Sequence, residues 1–190
     1  MRRRTERGAA AVEFALVAPI LFLVLFGIID YGVWFADQLA VNQSAASGAR
    51  TAAARAAGDT AWGSQTCGAW TPDAGSGNSS PLQSLACAIR QSAQTLDGPV
   101  YVKIRVLDGT QLNLNPPLDA STSGSTPNWK AGNAVRVCLL QLHGSLTQVI
   151  PLPGSQLGSH ADMPIEDPTG GFLLGGYQPL PGGASWPNWC

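Results

Sequence analysis

One glutamate inside an apolar run, four cysteines, two histidines and a small group of acids are the residues whose type and spacing could do chemistry. Glu13 is the most telling. It is the only charge between Ala9 and Ile29, and a charge held in hydrocarbon costs about 2.5–3.5 kcal/mol even on the lenient insertion scale. Leu would serve a plain anchor better, so the carboxylate is expected to have a partner. Just before it, Gly8-Ala9 closes a basic arm of Arg2, Arg3, Arg4 and Arg7, opposed only by Glu6. A cut after Gly8 would free an α-ammonium at Ala9, four residues from Glu13. Near one edge of a bilayer the two groups can compensate each other, within one chain or between packed neighbours. Glu13 would then also lie in the first helical turn, where a carboxylate complements the helix dipole. The plainer alternative is that Glu13 snorkels to the nearby interface.

The other candidates point to structure rather than catalysis. Cys67, Cys87, Cys138 and Cys190 are even in number and all follow the apolar run, which favours disulfides in an oxidising compartment. Three pairings are possible. Cys67–Cys87 with Cys138–Cys190 is preferred, because it pins a Gly-rich segment to a short helix and the C-terminal tail to a strand. Each bridge would add about 2–4 kcal/mol. Zinc would want close Cys-x-x-Cys pairs, and none occurs. His143, before Gly144, reads as a turn residue, and His160 as part of a Gly/Ser-rich loop. Asp162, Glu166 and Asp167 lack the spacing of a calcium loop and read as solvated loop acids. The glycine pairs at 170–171 and 175–176 lack the Lys-Ser/Thr of a phosphate loop. No catalytic residue, metal site or cofactor is expected.

The element that must position Glu13 is a membrane helix. Ala9 to Ile29 is 21 residues, about 31 Å of helix against a hydrocarbon core of about 30 Å. Tyr31 and Trp34 follow where an aromatic belt belongs. Pro19 falls mid-run and removes one backbone donor, which membrane helices tolerate. The four arginines before the run, with Asp30 and Asp37 the first acids after it, place the N-terminus in the cytoplasm and the rest outside. A secretory signal is the rival reading, but Trp34-Phe35-Ala36 offers no small-x-small cleavage site and the run is long. A nucleic-acid arm does not fit arginines beside such a run, and a net charge of −1 gives no whole-chain bias towards nucleic acid. Charged residues are 12 % of the chain, about half the usual share, and 22 Gly and 14 Pro suggest a loop-rich external domain.

A short basic leader, a glycine, then an apolar helix with glutamate at the fifth mature position resembles the substrates of prepilin peptidases. The stretch Arg7-Gly8-Ala9-Ala10-Ala11-Val12-Glu13-Phe14-Ala15-Leu16, then Pro19, then Phe26-Gly27-Ile28-Ile29-Asp30-Tyr31-Gly32 is similar to the TadE-like proteins of tight-adherence (Flp-type IVb) pilus systems. Asn42-Gln43, Ala49-Arg50 and Ala54-Arg55 carry the resemblance into the stem. It implies a pseudopilin-like minor subunit or assembly factor in adhesion or secretion, not an enzyme. Its partners would be a prepilin peptidase, other pilin-like subunits and the inner-membrane assembly machinery. Gly8 and Ala9 would be the processing site, Glu13 the recognition and assembly residue. The alternative from another class is an uncleaved single-pass envelope protein with a ligand-binding ectodomain.

Beyond Ile29 nothing stops the helix. Residues 37–57 are Ala-rich and free of Pro, and Gly58-Asp59 supplies the stop. The spacing predicts one helix over Ala9–Ala57 whose second half projects from the membrane. Ala45, Ala46, Ala49, Ala52, Ala53 and Ala56 allow close approach by another helix or a sheet. Leu82, Leu85, Ala86 and Ile89 predict a helix over Pro81–Leu96. Clean alternation predicts a strand at Val100–Leu107, Val135, Val137 and Leu139 against Arg136 and Cys138 predict a second at Ala134–Leu142, and Leu146–Leu152 is expected to continue the sheet. After Pro153 only Gly171–Leu174 looks strand-like, and the tail has no counterpart in the TadE-like pattern. The tryptophans read as core fillers, with Trp186-Pro187-Asn188-Trp189 packed on a neighbour or back onto the sheet. The expected fold is α+β, divided into leader 1–8, transmembrane helix 9–29, helical stem 30–57 and an extracytoplasmic domain 58–190. That domain holds a two- or three-stranded antiparallel sheet and a Gly/Pro-rich tail from about residue 154.

Overall fold

The computed structural model describes residues 3–54, 67–69, 71–72, 80–93, 98–109, 129–142, 156–166 and 175–190. The long helix α1 runs unbroken over Arg3–Ala54 and contains Pro19. It begins inside the leader rather than at Ala9. The local reason is composition: Arg4, Glu6 and Arg7 are good helix formers, and only Thr5 and Gly8 between Arg3 and Ala9 are poor ones. The expected end at Ala57, with Ala56 and the Gly58 stop, lies outside the described residues. Helix α2 spans Ser80–Ser92, starting one residue earlier than its periodicity predicts. Leu96 lies outside the described residues.

The strands are β1 (Thr71–Pro72), β2 (Val100–Leu107), β3 (Ala134–Leu142), β4 (Gln156–Pro164) and β5 (Gly176–Tyr177). They form one antiparallel sheet in the order β1-β5-β2-β3-β4. The alternating segments are the two central long strands, in the register Val102↔Leu139, Ile104↔Val137 and Val106↔Val135. The sheet is larger than the two or three strands expected, and the tail is not plain loop. It contributes both β4 and β5. Segments 146–152 and 171–174 lie outside the described residues.

The core sits between one face of the sheet and the two helices. Val41, Ala45, Ala49, Ala52 and Ala53 from α1 meet Leu82, Leu85 and Ile89 from α2 and the inward residues of β2 and β3. The alanine face of the stem is therefore a packing face. Ala46 is only half-buried. Gly48 matters here because a Cβ on it would stand 2.9 Å from Ile89 Cγ1. Its absence lets α2 lie close against α1. Trp129 is fully buried in this core.

The second face of the sheet is covered too. Strand β3 is buried along nearly its whole length on both faces, where its alternation alone predicts one solvated side. The cover is the C-terminal tail. Cys138 is bonded to Cys190 and Cys67 to Cys87, so the preferred pairing is the one the structure holds. Trp189 lies against Gly158, where a Cβ would meet its indole Cζ2 at 2.6 Å, and stacks on His160 with centroids 5.5 Å apart. The Trp-rich tail thus packs back onto its own sheet.

Candidate processing and assembly site

From Gly8 to Ile29 the side chains of α1 are exposed, apart from partial cover at Ala18 and Gly27. Val12, Phe14, Leu16, Val17, Ile20 and Leu21 all stand clear of the folded domain. At Asp30 the pattern changes abruptly. Asp30 is 1 % exposed and Asp37 7 %, and from there a buried stripe runs to Ala53. The helix is thus divided by environment. One half is apolar and uncovered, and the other is the central stave of the domain. By length and composition Gly8–Ala54 is long and apolar enough to cross a membrane, the one such helix among the described residues.

The sequence-predicted residues sit at the free end of this rod. Gly8, Ala9 and Glu13 are exposed. A Cβ on Gly8 would meet nothing within 4 Å, so the space around it does not require glycine. Glu13 follows Ala9 by four residues, about 6 Å along the axis. Amine and carboxylate would lie on one side of the rod. The backbones of Arg3, Arg4 and Arg7 belong to the helix, and Arg2 lies outside the described residues. Glu13 is exposed, and its neighbours Val12 and Phe14 are more than half exposed.

The match to known families falls on this same helix. Residues 8–50 match the family model described as TadE-like protein. The N-terminal helix is TadE-like. The match begins at Gly8, at the junction of basic arm and apolar rod, and ends at Arg50, within the stem. The TadE-like region thus takes in both the free half of α1 and most of the half that packs on the sheet. The match covers 43 of the 190 residues and concerns this helix, not the sheet domain. Comparison with curated proteins and with solved structures returns no match.

The domain carried by the TadE-like helix holds one polar constellation that the sequence does not announce. Arg105 and Arg136 stand directly opposite on β2 and β3, a like-charge pairing that is unfavourable alone. Arg136, 5 % exposed, donates from Nε to Asp162 Oδ1 at 2.6 Å and from Nη2 to Oδ2 at 2.5 Å. Its Nη1 donates to the Trp189 carbonyl at 2.9 Å. Arg105 Nη1 donates to the Cys190 carbonyl at 2.6 Å. Both guanidinium groups thus hold the tail's backbone, and Asp162 is an ion-pair partner rather than a solvated loop acid. Glu166 is exposed, and its backbone N–H donates to the Ala53 carbonyl. His160 lies in β4, not in a loop, and its pKa falls below the ordinary 6.5. Desolvation is the main cause, the Arg136 charge adds to it, and Asp162 opposes it.

Gln178 ties the same tail to the rest of the sheet. Its Oε1 accepts from the Val102 N–H at 3.1 Å, and its Nε2 donates to the Cys67 carbonyl at 2.8 Å. Its backbone N–H donates to Val102 O, and its carbonyl accepts from Trp186 Nε1 at 3.1 Å. Lys103 Nζ lies 6.0 Å above the Trp186 ring. These contacts position structure, and no three His, Cys, Asp or Glu side chains gather as a metal site among the described residues. His143, Asp167 and the glycines at 170–171 lie outside them. The signal that could have found Arg136 was present: alternation places it opposite the core face. Asp162 had none, because β4 was not legible.

Proposed function

We propose that this chain is a pseudopilin-like minor subunit or assembly factor of a tight-adherence (Flp-type IVb) pilus. In this reading it is inserted with its N-terminus in the cytoplasm and its folded domain outside the inner membrane. A prepilin peptidase cuts after Gly8, and the new Ala9 ammonium and Glu13 serve recognition and packing among like helices. The observation that supports it best is the coincidence of three boundaries at one place. The TadE-like match starts at Gly8, the basic arm ends there, and the apolar run begins at the next residue. The two disulfides fit an oxidising side of the membrane for the domain.

The physical logic is economical. A helix with a bare apolar half is stable in a bilayer and equally stable in a bundle of similar helices, so it can be stored in one and transferred to the other. Glu13 resists staying in lipid and favours a site where a cation faces it. The test is Gly8→Arg, which blocks the small residue at the cut while leaving helix and domain intact. The variant should accumulate in the membrane at normal level and vanish from sheared surface pili. Pili that contain the variant as abundantly as the native chain would refute processing as a requirement.

A further inference from the structure

We propose that the folded domain is seated directly on the lipid surface, through the stem face Tyr31–Phe35–Leu39 and the adjoining end of its sheet, and is not held off on a projecting stalk. The first observation is the length of the uncovered apolar face. Tyr31, Phe35 and Leu39 follow one another at helical spacing and are 56 %, 54 % and 47 % exposed. They continue the bare surface of Val12 to Ile29 without a break. Val12 to Leu39 is about 42 Å of helix, against about 40–45 Å for a bilayer with its headgroup layers. A hydrocarbon slab from Phe14 to Trp34 spans about 30 Å. It leaves Glu13 at one edge, the Tyr31–Trp34 ring pair, 5.5 Å apart, at the other, and Phe35 and Leu39 among the headgroups.

The second observation is where the charges go. Asp30 and Asp37 would keep the membrane from rising this far if they faced outward. Both are turned inward, and Asp37 Oδ2 accepts from Gln141 Nε2 at the end of β3. The third is the polarity of the sheet. Its end beside Asp37 and Gln38 carries Gly98, Pro99, Leu142 and Gln156, fixed by the Leu142↔Gln156 pair and the Gln38–Gly158 hydrogen bond. Among the described residues the cation nearest that end is Arg90, which shares a hollow with Gly98 and Val100 and donates to the Cys67 carbonyl; Asp97 and His143 lie outside them. The opposite end, beside Ala53, carries Asp108, Lys130 and Glu166. An end with one cation and its nearest acids turned inward suits a surface of headgroups and acyl boundary.

The inference rests on α1 spanning a bilayer and not on cleavage at Gly8, so it stands or falls separately from the processing reading. The experiment uses the full chain with its disulfides intact, in vesicles of phosphatidylcholine and phosphatidylglycerol. Nitroxide labels are placed singly through Phe35→Cys, Leu39→Cys and, as an aqueous control, Arg50→Cys. Collision with oxygen is compared with collision with a water-soluble nickel chelate. Labels at 35 and 39 should show an oxygen-to-nickel ratio several-fold above that at 50. Nickel access at 35 and 39 equal to that at 50 would overturn the proposal in favour of a stalk. Poor access to both reagents, with dipolar broadening that disappears on dilution with unlabelled chain, would overturn it in favour of a second helix on this face.

Discussion

At the scale of single residues, two ionisable groups carry the account, and they act in opposite settings. Glu13 stands bare on an apolar rod, and the role proposed for it is pairing with a cation on assembly. Glu13→Leu should leave membrane insertion unchanged or improved. It should lower the amount of chain in surface pili by about tenfold, the effect of losing roughly 1.4 kcal/mol of pairing. Quantitative immunoblots of sheared and membrane fractions measure both, and equal recovery would leave the carboxylate without a role. His160 instead lies against Trp189 near the Arg136 charge, with a lowered pKa. The unfolded chain therefore binds a proton first as pH falls through about 6.5, and folding stability drops between that value and the lowered one. Above the window the group contributes no slope. His160→Phe keeps a ring to stack and removes the titration, so its melting temperature should vary less between about pH 7.5 and pH 5.5. Identical pH profiles for the two proteins would show that His160 is not a source of the slope.

At the scale of elements, legibility followed the strength of local patterning. Val100–Leu107 was readable because apolar and polar side chains alternate along most of it, and Ala134–Leu142 because Val135, Val137 and Leu139 alternate in an apolar run that no Gly or Pro interrupts. Strand β4 was not readable. Gln156–Pro164 has Gly158, ends in Pro164 and contains no β-branched residue, so its local preference is loop-like. It is a strand because β3 offers a full row of backbone partners, a long-range cause invisible in the segment itself. The same holds for β5, where Gly175 packs so tightly on β2 that a Cβ would run into the Ile104 carbonyl. Gly175→Ala should therefore peel β5 from β2 and cost about 1–3 kcal/mol; an unchanged denaturation midpoint would contradict that close approach. Cysteine count made disulfides legible, but what Cys138–Cys190 accomplishes was not. It clamps a tail over the second face of the sheet, onto two arginines that hold that tail's carbonyls. Cys138→Ser with Cys190→Ser should cost about 2–4 kcal/mol. It should also open the tail near Trp186 to limited proteolysis under conditions where the native chain resists.

At the scale of the whole molecule, one helix does two jobs whose boundary is drawn by burial at Asp30. Below it the rod is bare, and the TadE-like match at residues 8–50 crosses the boundary. Above it the rod is the wall against which a five-stranded sheet is assembled. The apolar rod and its basic flank were legible because bilayer thickness and charge asymmetry act on sequence directly. The inward turn of Asp30 and Asp37, on which the proposed seating depends, was not, because it is set by the domain packed against them. The central claim is that this chain is matured by a cut between Gly8 and Ala9. Intact-mass measurement of the chain recovered from pili or membranes of a host with its prepilin peptidase tests that claim most directly. The account predicts a species whose first residue is Ala9, with both disulfides formed and the first eight residues gone. A functional, assembled chain that still carries Met1 to Gly8 would contradict it.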